Sequence, residues 1–143
     1  MEWIWMIAVA LAACGGQPRA PVVADDPDAA PPVTAIDVTV LRRASELLAD
    51  ESRWNRHDDR QCPPHAQIWS LYCAIHDAQI AVTGVFAHRS AAMQEVRHTV
   101  EQATVGIELQ HRMMDYNNLS TTSFRDIKAI LQTTIDRISP PAH

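Results

Sequence analysis

The sequence predicts an all-α protein: a compact four-helix domain, preceded by a signal peptide and a disordered tether rich in Pro, Ala and Asp. Three observations predict it. Apolar residues recur at three- and four-residue spacing in four stretches after residue 34. Those stretches are bounded by residues suited to helix ends, among them Ser90, Ser123 and Gly84. No stretch alternates polar and apolar residues for long, a fragment around Val38 being the nearest to a strand.

The first helix carries its stripe on Ile36, Val40, Leu41, Ala44, Leu47 and Leu48, with Trp54 just beyond its end. The second is unusually apolar, through Ile68, Trp69, Leu71, Tyr72, Ile75, Ile80 and Val82 to a stop near Gly84, and should be the most buried. Its start has two readings: Pro64 suits a first helical position, whereas a late start falls near Ser70. Ser90 caps a third helix through Met93, Val96, Val100, Ala103 and Ile107, kinked or broken at Gly106 and stopped by Asn117-Asn118. Ser123 and Asp126 form a weak capping box for the last, striped by Phe124, Ile127, Ile130, Leu131, Ile135 and Ile138 and ended by Pro140-Pro141.

Ahead of the helices lies a different kind of sequence. The apolar run from Trp3 to Ala10 falls short of the roughly 20 residues a membrane-crossing helix needs, and has the length of a signal-peptide core. Its first residues carry Glu2 where Lys or Arg is usual. Leu11-Ala12-Ala13-Cys14 resembles the lipobox of bacterial lipoproteins. The resemblance implies removal of residues 1–13 and acylation of Cys14, each buried methylene adding about 0.8 kcal/mol of membrane affinity. Gly15 follows in place of the Asp that retains some lipoproteins in the inner membrane, so the outer membrane is the implied destination, at its periplasmic face or surface. Residues 14–33 hold Pro18, Pro21, Pro27, Pro31 and Pro32 with Asp25, Asp26 and Asp28, a composition for an extended tether reaching on the order of 55 Å. Residues 34–143 remain for one domain with its own core.

Charge excludes some functions. The chain carries 12 Lys+Arg against 17 Asp+Glu, a net charge of −5, with no basic stripe, which argues against nucleic acid as a partner. The order Leu41-Arg42-Arg43-Ala44 to Trp54, then Tyr72-Cys73-Ala74, then Tyr116-Asn117-Asn118 with Ser123-Phe124-Arg125-Asp126-Ile127 resembles a small bacterial helical family of unknown function. Tyr72 and Tyr116 stand where that family carries tryptophan. The resemblance implies the helical fold and no activity.

The pattern closest to site chemistry is Cys62-Pro63-Pro64-His65 followed by Cys73-Ala74-Ile75-His76. Two Cys-x-x-His pairs supply four zinc ligands if they meet, which requires the late helix start. The same start permits a Cys62–Cys73 disulfide; the alternative is a buried, inert Cys73. Haem ligation through His, Met113 or Met114 lacks an attachment motif, and His57-Asp58-Asp59 reads as a polar loop. No nucleophile, phosphate-loop or metalloprotease motif occurs, and no catalytic residue is assigned. The expectation is a lipid-anchored envelope protein with a non-enzymatic binding or scaffolding domain. It needs no cofactor beyond its lipid, and its partners are the membrane and an envelope protein. The alternatives are a periplasmic zinc or haem binder using Cys62, His65, Cys73 and His76, and a small hydrolase.

Overall fold

A computed structural model describes residues 29–142. The predicted signal peptide, the lipobox-like Leu11–Cys14 and most of the predicted tether lie outside the described residues. Five α-helices follow in order: α1 (Ala35–Leu47), α2 (Leu71–Thr83), α3 (Ala91–Ala103), α4 (Arg112–Asn118) and α5 (Phe124–Ile138). A short 3-10 turn, Glu51–Arg53, lies between α1 and α2. The fold class is all-α, with no strand among the described residues and no helix there long and apolar enough to cross a membrane.

Five helices form where the sequence spacing suggested four. The predicted third helix divides: α3 stops at Ala103, Gly106 takes a left-handed φ of 84°, and the chain becomes helical again only at Arg112. A left-handed residue cannot continue a right-handed helix, and glycine takes that conformation at little cost. α2 starts late, at Leu71, with Ser70 Oγ accepting from Cys73 N at 3.1 Å; Pro64 is not helical. Ser90 Oγ likewise accepts from Met93 N, and Ser123 and Asp126 form a reciprocal capping box on α5. At the N-terminus of α1, Asp37 accepts from Thr34 N through Oδ2 and from Ala92 N through Oδ1. One carboxylate thereby fixes the starts of both α1 and α3.

α1 packs on α2, α5 and α3, while α3 packs on α4 and α5. The core gathers Leu41, Leu48, Leu71, Ile75, Met93, Val96, Ile127 and Leu131, all fully buried. Lys128 Nζ closes the end of α1, donating to Ser45 O at 2.7 Å and Leu48 O at 3.1 Å, where carbonyls lack helical partners. The stripe on α2 is buried only from Leu71 to Gln79. Ile80 and Val82 are exposed, as are Ile36, Ile68 and Ile107.

The segment between α1 and α2 has little regular structure and is tied down at several points. Asn55 N donates to Trp69 O and Trp69 N to Arg53 O, a single parallel bridge that brings the loop ends together. Cys62 and Cys73 form a disulfide with their Cα atoms 5.3 Å apart. The third tie is Asn117, buried in the last turn of α4. Its Oδ1 accepts from Trp54 Nε1 at 2.8 Å and Leu71 N at 3.0 Å, and its Nδ2 donates to Asn55 O at 2.9 Å. Asn118 pairs with the backbone of Asp58, accepting from its N–H and donating to its carbonyl.

Candidate functional site

Three tied segments, the loop, α2–α3 and the start of α4, meet around a basin of about 240 Å³. Arg60 reaches it from the loop, Tyr72 from the first turn of α2, His88 from the turn before α3, and Arg97 from α3. Gln110, His111, Arg112, Met113 and Met114 complete the lining around the start of α4. The lining contains three guanidinium groups and no carboxylate.

Its centre is a short polar chain. Arg97 Nη1 donates to His88 O at 2.9 Å and to Gln94 Oε1 at 3.3 Å. Arg97 Nη2 lies 3.0 Å from His88 Nε2, nearer than Nδ1 at 3.4 Å, and Nδ1 lies 3.1 Å from Tyr72 Oη. A guanidinium only donates, so Nε2 accepts, and the ring proton is assigned to Nδ1, from which it is donated to the phenol oxygen. The Tyr72 hydroxyl proton is then available to another acceptor.

Burial, then the positive charges of Arg97, Arg60 and Arg89, hold His88 below the ordinary histidine value, which favours the neutral ring. Burial raises the Tyr72 phenol and lowers Arg97, the latter with help from Arg112, Arg89 and Arg60. The hydrogen-bond partners of Arg97, the His88 carbonyl and ring and the Gln94 amide oxygen, carry no negative charge. Arg60 takes a left-handed φ of 59°, its N–H donating to Asp58 Oδ1 at 2.7 Å. This is an uncommon conformation for a residue with a Cβ, held here by a side chain two residues earlier.

The residues singled out from the sequence lie elsewhere or do other work. Because the sulfurs of Cys62 and Cys73 are bonded to each other, they offer no thiolates, and the four-residue zinc set is not assembled. Its remaining members are apart: His65 is exposed on the loop, and His76 Nδ1 pairs with Asp77 Oδ1 at 2.8 Å against the Phe86 ring. No group of three or more metal-ligating side chains occurs among the described residues. Asp77 Oδ2 in turn accepts from Trp69 Nε1 at 2.8 Å, so the pair braces the end of the loop. His57 and Asp59 face a separate hollow beside Cys62 and Pro63, while Asp58 turns inward. Met113 is in the core and also lines the basin, and Met114 is half-buried beside it. Arg60, His88, Arg97, His111 and Arg112 escaped sequence reasoning as a group, because they come from separate segments and share no local spacing.

Fold and basin together define a disulfide-braced helical domain with a cationic hollow. The chain belongs to DUF6197, a family of unknown function, whose profile matches residues 30–137. The match fits the resemblance to an uncharacterised helical family seen in the sequence. No curated protein and no solved structure matches the chain.

Proposed function

We propose that the protein is lipid-anchored through Cys14 in a bacterial cell envelope, at the outer membrane, and that its helical domain binds a partner without catalysing a reaction. The observation that supports this best is the Cys62–Cys73 disulfide. Disulfides persist in oxidising compartments and are rare in the cytosol, so pairing of the two cysteines other than Cys14 agrees with the exported address implied by Leu11-Ala12-Ala13-Cys14. Binding is favoured over catalysis because the basin presents cations and hydrogen-bond donors, with neither a carboxylate nor a Ser, Thr or Cys nucleophile in its lining. The Pro- and Asp-rich composition of residues 14–33 suits a tether that would hold the domain near the membrane.

Replacing Cys14 tests the anchor. In bacterial cells making the full chain, the native protein is expected to sediment with membranes and to resist extraction by salt, and Cys14→Ser to move to the soluble fraction. Equal distribution of the two forms would contradict the reading.

A further inference from the structure

We propose that the basin between α2, α3 and the start of α4 binds a tetrahedral oxyanion, phosphate or a phosphate ester, through Arg60, Arg97 and Arg112, with Tyr72 and His111 completing the donor set. The inference rests on the reading of the domain as a binding module and names what that module takes. Its first support is convergence. Three guanidinium groups from separate segments line one hollow on a chain whose net charge is −5. The carboxylates recorded around them are otherwise engaged or weakly paired: Asp115 Oδ2 accepts from the Gln110 and His111 backbone N–H groups at 2.8 and 2.9 Å. Glu101 meets Arg112 only at 3.6 Å, with both side chains about half exposed, a pairing of little strength. Asp58 is turned inward, and its Oδ1 accepts from the Arg60 N–H.

The second support is Arg97. It is a partly buried cation whose partners are a carbonyl, a side-chain amide and a neutral imidazole. A cation withdrawn from water without a counter-charge is costly, and an anion in the basin would supply that charge. The third is the Tyr72 hydroxyl, whose proton is left free by the Nδ1–H of His88. Phosphate fits the convergence better than carboxylate. A planar carboxylate is met fully by one bidentate guanidinium, whereas a tetrahedral group accepts from several directions at once.

The test is calorimetric titration of the full chain in detergent with inorganic phosphate, and with acetate as the planar comparison. The expected result is one saturable phosphate site, with acetate at least tenfold weaker. Arg112→Gln, an exposed position, should weaken phosphate about tenfold without moving the thermal midpoint, as loss of one charge-assisted contact does. Arg97→Gln should weaken it at least as much. No saturable phosphate binding, or equal affinity in native chain and both variants, would overturn the proposal.

Vesicles distinguish the sources of the phosphoryl group. The Cys14→Ser chain is mixed with phosphatidylcholine vesicles with and without phosphatidylglycerol. Association that requires phosphatidylglycerol and is lost in Arg112→Gln assigns a lipid headgroup, and phosphate binding without such association assigns a soluble phosphate compound. Phosphate binding by a native chain that proves not to be acylated at Cys14 would refute the envelope anchor alone. A lipidated chain that ignores phosphate would refute this site alone.

Discussion

At the scale of single residues, Asn117 contributes most to the arrangement. Its side chain is fully buried and satisfies Trp54 Nε1, Leu71 N and Asn55 O, which belong to the loop and to the start of α2. Removing it leaves two buried donors and an acceptor without partners, at roughly 1–3 kcal/mol each. Asn117→Ala is therefore expected to lower stability by at least about 3 kcal/mol in urea unfolding, a loss below about 1 kcal/mol being the contrary result. Asp58 behaves in the opposite sense. Its Oδ2 is buried without a hydrogen bond of ordinary geometry among the described residues. Burial outweighs the Arg60 N–H and the Ser70 hydroxyl, so its carboxyl titrates above the usual 3.8. A raised carboxyl favours folding most while protonated, below the unfolded value, and loses that contribution as pH rises through the folded value. Asp58→Asn keeps the Oδ1 acceptor without the buried charge. It should melt higher than the native chain at pH 7, with the gap closing as pH falls toward 4. A lower melting temperature at pH 7 would mean that the charge is compensated.

At the scale of elements, the loop between α1 and α2 decides whether the basin exists, because it carries Arg60. Its ties are the Trp54–Trp69 bridge, the Cys62–Cys73 disulfide and the Asn117–Asn118 contacts. The cysteines are separated by 11 positions, and closing a loop of that size stabilises by about 2–3 kcal/mol in the chain-entropy account. The double variant Cys62→Ser, Cys73→Ser should lower the unfolding free energy by that amount, and the urea midpoint with it, while far-UV ellipticity in native buffer persists, since the helices are capped independently. An unchanged midpoint would contradict the account.

Helix ends were the more legible part of the sequence, because a cap is local. Ser90, Gly84 and the Ser123–Asp126 pair stand where their chemistry places them. The start of α2 was ambiguous between Pro64 and Ser70, since both residue types suit that position. What separates them is the loop, pinned from α4 by a residue more than forty positions away. Asn117-Asn118 read only as a helix stop for the same reason: a buried asparagine and a helix-ending one look alike until the partner is known.

At the scale of the whole molecule, the all-α class followed from periodicity, and the basin did not. Arg60, Arg97 and Arg112 come together only because the loop, α3 and α4 do, and an overall charge of −5 conceals a local excess of positive charge. The address, by contrast, is read from Leu11 to Cys14 alone, and joins the rest of the account through the disulfide. The intact mass of the chain extracted from membranes, with and without reduction before alkylation, tests that connection most directly. The account predicts loss of residues 1–13, added acyl mass on Cys14, and two alkylations gained only after reduction. An unprocessed chain in the soluble fraction, with Cys62 and Cys73 alkylated without reduction, would contradict it.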